Sequence, residues 1–261
     1  MRMPYFGLGV YLMNDGKEVQ TAVQYALDIG YRLIDTASAY DNESGVGKAI
    51  RQSTVERSEI FVTTKLWNSD HGYDKARKAF EKSLKKLDLD YIDLYLIHWP
   101  VKNKRKETWR ALETLLDDGL CRAIGVSNYM LPHLRELLDY AAILPAVNQV
   151  EFSPFLYQKD LLDFCNNHNI QLEAYSPLTR GKKFNNEVLV SIADKYKKTA
   201  AQILIRWALE HQVVVIPKSS NPDRIEENAD VFDFSIEDQD MEKLDNLNED
   251  FRVSWNPTSV V

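Results

Sequence analysis

The chain has 261 residues, 44% hydrophobic and 11% aromatic, a length above the usual domain size that α/β barrels nevertheless use as one domain, here 1–261. With 32 basic against 39 acidic residues the net charge is −7, a mildly acidic balance that argues against a nucleic-acid binder. The first seven residues lack the apolar core of a signal peptide and no segment is apolar enough to span a membrane; the two cysteines, Cys121 and Cys165, show no metal-ligand spacing. A reduced, cytoplasmic protein without a membrane partner or a metal is expected.

Apolar runs of strand length begin near Phe6, Arg32, Ile60, Tyr91, Cys121, Ala146, Ile170 and Val213, and most intervals between them hold apolar residues at helical spacing. In the first interval Val19, Ala22, Val23, Ala26 and Leu27 share one face, and Gly30 stands where a helix C-cap would be. Later helices are predicted over 43–51, 73–86, 106–118, 131–140 and 159–167. The interval before Val213 holds two helical patterns, 186–197 and 200–210, one more than a plain strand–helix repeat requires. A last amphipathic piece covers 236–247, with Ser235 as its expected N-cap.

Alternating strands and helices without long linkers predict parallel strands, and runs such as Tyr91-Ile92-Asp93-Leu94-Tyr95-Leu96-Ile97 predict burial on both sheet faces. A doubly wound open sheet would usually carry Gly-x-Gly-x-x-Gly after its first strand. Here Gly7-Leu8-Gly9 is followed by Leu12 where the third glycine would stand, so a closed (β/α)₈ TIM barrel with extra helices late in the chain is preferred.

Such a barrel gathers the C-terminal ends of all its strands around one mouth. Those ends carry Gly9, Val10 and Tyr11; Asp35 with Tyr40; Lys65; His98; Ser127 and Asn128; Gln149; Tyr175 and Ser176; and Lys218, Ser219 and Ser220. Singly they have ordinary structural explanations, Asp35 as a turn carboxylate and Tyr175 as a core ring. Jointly they describe delivery of a proton to a carbonyl oxygen. A tyrosine near pKa 10 becomes a general acid if the Lys65 ammonium lowers that value, Asp35 holds the lysine, and His98 donates a hydrogen bond to the substrate oxygen. The complementary hydride must come from a cofactor, since no side chain supplies one. At 216–228 a strand end, hydroxyls, Lys218 and a helix start carrying Arg224 form either a phosphate site or an ordinary solvated helix start.

The motifs Gly7-Leu8-Gly9-Val10, Leu33-Ile34-Asp35-Thr36-Ala37 with Tyr40, Thr64-Lys65-Leu66-Trp67, Leu96-Ile97-His98-Trp99-Pro100, Ile124-Gly125-Val126-Ser127-Asn128, Asn148-Gln149-Val150-Glu151, Ala174-Tyr175-Ser176-Pro177-Leu178 and Ile216-Pro217-Lys218-Ser219 occur in one order over nearly the whole chain. In this the sequence resembles the aldo-keto reductases, and among them the bacterial diketogluconate and glyoxal reductases. The resemblance implies a barrel that uses NADPH without a Rossmann domain, with Asp35, Tyr40, Lys65 and His98 as catalytic residues. It implies that Ser127, Asn128 and Gln149 hold the carboxamide, that Tyr175 stacks on the nicotinamide, and that Lys218, Ser219, Ser220, Arg224 and Asn228 hold the adenosine phosphate end. Gly9, Val10, Tyr11, Asp35, Ser176, Leu178, Ile216, Pro217 and Glu227 would complete the cofactor site; Tyr11, Tyr40, Trp67, His98 and Trp99 would face the substrate.

Three departures from the family pattern stand out. Only six residues precede Gly7, so the usual N-terminal hairpin is expected to be missing; segments 101–107 and 255–261 are short where substrate walls normally arise; and Thr179 stands where glycine is frequent. The expectation is a monomeric reductase of small aldehydes, α-dicarbonyls or keto-sugars. A cofactor-binding regulatory or redox-sensing subunit with little turnover is the rival.

Overall fold

The computed structural model describes residues 2–259. Strand and helix alternate through β1 (Leu8–Gly9), α1 (Lys17–Asp28), β2 (Leu33–Asp35), α2 (Glu43–Gln52), β3 (Phe61–Leu66), α3 (Tyr73–Leu87), β4 (Leu94–Ile97), α4 (Arg105–Asp117), β5 (Ile124–Ser127), α5 (Leu131–Leu138), β6 (Val147–Glu151), α6 (Lys159–Asn167) and β7 (Gln171–Tyr175). Two helices, α7 (Glu187–Tyr196) and α8 (Ala200–Glu210), precede β8 (Val214–Val215), and α9 (Pro222–Ala229) and α10 (Asp238–Asp245) follow it. All neighbouring strands are parallel in the order β1 to β8. The sheet closes where the Gly7 amide donates to Val215 O at 2.9 Å and the Val215 amide to Tyr5 O at 2.9 Å. The chain is a (β/α)₈ barrel, with the extra late helices expected from its sequence.

The period of two along each strand sorts side chains into two layers. One alternate set, including Ile34, Val62, Tyr95, Ile97, Val126 and Val150, belongs to the large apolar core that also contains the buried helix faces. The other set fills the barrel. Leu33, Phe61, Leu94, Leu96, Val147, Val214 and Ile216 form its own apolar cluster, and Met3 packs against it. No strand precedes β1 among the described residues, and the short segment bearing Met3 covers this cluster in part. At Gly125 an added Cβ would come within 2.6 Å of Val147 O and 2.8 Å of Leu96 Cδ2, so the barrel is filled there by backbone rather than side chain.

Helix positions follow the sequence periodicity, with ends that differ where tertiary contacts decide. The last helix begins at Asp238 with Glu237 as its N-cap, not Ser235. Ile236 is buried and its amide donates to Glu210 Oε1 at 3.3 Å, which holds the preceding residues against α8. Helix α5 stops at Leu138, two residues early, because the chain turns there, with Tyr140 N donating to Leu137 O. Among the described residues no helix is long and apolar enough to cross a membrane.

Candidate active site

The same alternation that fills the barrel with Leu33, Phe61 and Leu94 puts Asp35, Lys65 and His98 on its inner side near the C-terminal mouth. Register fixes their relative heights. Asp35 is level with Gly9 and Thr63, and Ser127, Gln149, Glu173 and Val214 share a second rung. Tyr40 ends a short 3₁₀ turn, Ser38–Tyr40, that follows β2. That loop is fastened from both sides: Ser38 Oγ donates to Lys65 O at 2.9 Å, while Thr36 Oγ1 donates to Asn42 Oδ1 at 2.7 Å.

Lys65 is fully buried, and its ammonium has an acceptor for each of its three protons. Nζ donates to Asp35 Oδ1 at 2.7 Å, to Thr36 O at 2.8 Å and to the Tyr40 hydroxyl at 3.3 Å. Since Tyr40 Oη accepts here, its own proton is left to point elsewhere. Burial works to lower the Lys65 pKa, but its interactions with the Asp35 carboxylate first, and then with the Tyr40 hydroxyl, outweigh that and hold it above the ordinary value, so the side chain stays an ammonium. For Tyr40 the balance runs the other way from the sequence expectation. Burial raises its pKa more than the Lys65 charge lowers it, and the hydroxyl ends pushed up to about 12. His98 is held well below its usual value, first by burial and then by Lys65, and is therefore a neutral imidazole; its Nδ1 is buried without a hydrogen-bond partner among the described residues.

A second polar group continues from the first. Gln149 Nε2 donates to Asp35 Oδ2 at 2.8 Å and to Glu173 Oε2 at 2.9 Å, which uses both amide protons and turns Oε1 away from the carboxyls. Asn128 Nδ2 donates to His98 O at 2.9 Å, and its Oδ1 accepts from the Tyr175 hydroxyl at 2.8 Å. Asn128 has φ 64°, a left-handed conformation that asparagine tolerates.

Asp35, Tyr40, His98, Ser127, Asn128, Gln149 and Tyr175 line one cleft of about 1090 Å³ together with Gly9, Tyr11, Trp67, Trp99, Ser176, Leu178, Ile216 and Lys218, while Lys65 and Glu173 lie buried behind it. The aromatic wall is continuous. Ring centroids lie 4.9 Å apart for Tyr11–Tyr40, 5.7 Å for Tyr40–His98 and 5.2 Å for Trp67–His98. Several sequence candidates lie off this lining. Val10 packs into the outer apolar core, Pro217 and Ser219 are buried beside the end of β8, and Ser220 and Arg224 are exposed where α9 starts. Arg224 contributes its amide to the Asn221 cap at 3.2 Å and leaves its side chain on the surface. Glu227 Oε1 accepts from the Thr199 hydroxyl at 2.7 Å, and Asn228 is buried.

The sequence reading missed Glu173, Glu151, Arg180 and the tail. Glu151 is buried and accepts from Val253 N at 2.6 Å and Ser254 N at 3.1 Å. Held in this way, Arg252 to Trp255 line the cleft, and the Trp255 ring lies 5.6 Å from that of Trp99. The tail is thus a wall, although its length alone predicted otherwise. Arg180, with φ 53°, lies over the Tyr11 ring at 5.8 Å, so the loop after β7 reaches the loop after β1. Thr179, noted in the sequence as a departure from a frequent glycine, adopts φ 51° in that loop, a strained value for a β-branched residue.

A closed parallel barrel with an ammonium, a phenol and an imidazole converging at its C-terminal mouth defines a barrel enzyme class. The Aldo/keto reductase family profile matches residues 6–249, and the chain belongs to that family. It is 55% identical to the glyoxal reductase of Bacillus subtilis (strain 168) over 100% of this chain and 95% of that protein. Among solved structures it superposes with TM-score 0.95 on an aldo-keto reductase from a Medee basin deep-sea metagenome library, at 48% identity, covering 98% of this chain and 95% of the other. An aldo-keto reductase solved as a complex with NADPH gives TM-score 0.92 at 34% identity, covering 97% of this chain and 86% of the other.

Proposed function

We propose that the protein reduces small aldehydes, α-dicarbonyls or keto-sugars to alcohols with NADPH. The observation that carries this reading is the hydrogen bonding of Lys65: all three of its protons are directed at acceptors, one of them Tyr40 Oη, so the phenol proton is free for a substrate oxygen. The nicotinamide supplies a hydride when bound; every other step belongs to the chain. His98, kept neutral, donates a hydrogen bond to the carbonyl oxygen and orients it. Tyr40 delivers its proton to that oxygen, and the phenolate left behind is stabilised by the Lys65 ammonium, which Asp35 holds in place.

The chain's residues fit the cofactor. Gln149 Oε1 is turned away from Asp35 and Glu173, Ser127 and Asn128 lie beside it, and the half-buried Tyr175 ring offers a flat face. Lys218 on the cleft wall and Arg224, Ser219 and Ser220 at the start of α9 suit the 2′-phosphate. The glyoxal reductase relative and the NADPH-bound structural neighbour support the same reading. The fully assembled proton-donating group favours an enzyme over a regulatory subunit. Following NADPH absorbance with methylglyoxal tests the proposal: steady oxidation is expected, and tight NADPH binding without turnover would favour the regulatory role.

We further propose a single-domain cytoplasmic monomer. Cys121 and Cys165 are both free and buried, which suits a reducing compartment. Sedimentation at the mass of one chain and one cooperative unfolding transition are the expected results; a dimer mass or two transitions would overturn them.

A further inference from the structure

Glu173 is fully buried in the barrel, two residues before Tyr175 on β7 and on the same inward side. Its Oε2 accepts from Gln149, and its Oε1 has no hydrogen-bond partner among the described residues. The surrounding strands are poor in charge. β8 contributes Val214 and Ile216, β4 contributes Leu94 and Leu96, and β5 contributes Gly125 and Ser127. The ionisable groups that face it are Asp35 on β2, reached through the shared Gln149 amide, and Lys65 on β3. Tyr40, His98 and Glu151 lie further toward the mouth.

One ammonium shared by two buried carboxyls leaves a net negative charge if both are ionised, which a dry interior disfavours. Asp35 has the lysine at 2.7 Å, so the proton belongs on Glu173, whose bare Oε1 is the atom free to carry it. Burial first, and then the Asp35 charge, push Glu173 up to about 8, against the pull of Gln149 and Lys65.

We propose that Glu173 is a positioning residue that holds the Gln149 amide with its N–H groups toward the two carboxyls, and that it releases its proton to solvent when a cationic oxidised nicotinamide is bound above it. This rests on the cleft being the nicotinamide site. Reduced nicotinamide is neutral and gives Glu173 no reason to ionise, so only the oxidised cofactor should bind with release of a proton. Rising pH would then favour NADP⁺ over NADPH.

Infrared difference spectra of the free protein between pH 6 and pH 10 read the proton directly. A protonated-carboxyl band that titrates in the wild type and is missing in Glu173→Gln is expected; an identical band in the variant, or none in the wild type, would overturn the assignment. Dissociation constants for NADP⁺ and NADPH, measured by fluorescence quenching at pH 7 and pH 9, test the linkage. NADP⁺ should tighten by roughly tenfold relative to NADPH in the wild type, as one nearby charge at an effective dielectric of about 20 would give, and this difference should vanish in Glu173→Gln. A ratio independent of pH in the wild type, or equally dependent in the variant, would overturn it. Failure of either cofactor to bind would instead refute the reading of the cleft, and the linkage with it, while the infrared result would still decide where the proton sits. Should Glu173→Gln not fold, Glu173→Met, of similar volume, replaces it in both measurements.

Discussion

Lys65 Nζ stands 3.3 Å from the Tyr40 hydroxyl, with its other two protons committed to Asp35 and the Thr36 carbonyl. In the proposed reaction this contact stabilises a phenolate that burial makes costly: even with the Lys65 charge beside it, burial keeps the Tyr40 hydroxyl pushed up to about 12. Tyr40→Phe keeps the ring and its packing against Tyr11 but removes the proton. Turnover should fall by roughly 10² to 10⁴, the range for losing a positioned general acid, while NADPH affinity stays within a few-fold. Near-normal turnover in this variant would take Tyr40 out of the mechanism.

Removing the lysine should affect stability as well as rate. Lys65→Met leaves Asp35 buried without its cation, and breaking a buried pair from one side costs about 3 to 5 kcal/mol. Adding Asp35→Asn should recover part of that loss, which urea unfolding of the single and double variants would reveal. Folding raises the Lys65 pKa, so the lysine's contribution to stability is complete below its ordinary value of 10.5 and fades only at higher pH, as the folded value is passed; at the acid end the pair is lost when Asp35, whose own pKa burial raises, takes up a proton. Any residual activity of Lys65→Met should have its pH optimum shifted downward, where bulk protons replace the poorly acidic Tyr40. An unchanged pH profile would make Lys65 purely structural.

Cofactor choice is expected to depend on the start of α9. Arg224 leaves its guanidinium exposed there, and Lys218 supplies a second cation on the cleft wall. A charge-assisted hydrogen bond contributes about 1.5 to 3 kcal/mol, so Arg224→Ala should weaken NADPH binding about tenfold or more. NADH, lacking the 2′-phosphate, should bind almost as before. Titrating both cofactors into the variant decides the matter, since equal losses would mean that Arg224 supports the loop rather than the phosphate.

What was legible in the sequence has a local physical cause. The apolar spacing of Val19, Ala22, Val23, Ala26 and Leu27 describes one helix face, and all five are buried in α1. Asp35 and His98 stand out because each ends or follows an apolar run, and Lys65 because it lies in one otherwise free of charge. Glu173 hides inside a strand, and only counting back by two from Tyr175 would have placed it on the inner side. The hydrogen bond between Glu151 and Val253 joins residues 102 apart, and no local pattern announces it. The Tyr40 pKa was misjudged for a related reason: its neighbour could be read from the chain, but the degree of burial, which is the larger effect, is a property of the packed fold.

The tail bears on substrate breadth. Trp255 leans on Trp99 while the residue stays 64% exposed, and Glu151 pins the two preceding amides, so this wall is anchored at its base and open at its edge. Such a wall should contribute contact without rejecting longer substrates. Each added methylene then changes discrimination by only about 1 to 3 kcal/mol, and carbonyl reactivity should rank substrates, α-dicarbonyls ahead of plain ketones. Trp255→Ala removes an aromatic contact worth about 0.5 to 1.5 kcal/mol beyond its buried area, so KM for 4-nitrobenzaldehyde should rise several-fold with kcat little changed. Glu151→Ala should raise the same KM by releasing the tail, and the double variant should do little more than Glu151→Ala, because both changes act through one segment. Additive effects on KM would show that Glu151 and Trp255 act separately. Failure of both methylglyoxal and 4-nitrobenzaldehyde to react, with one sugar-like ketone strongly preferred, would show instead that the tail closes over the substrate.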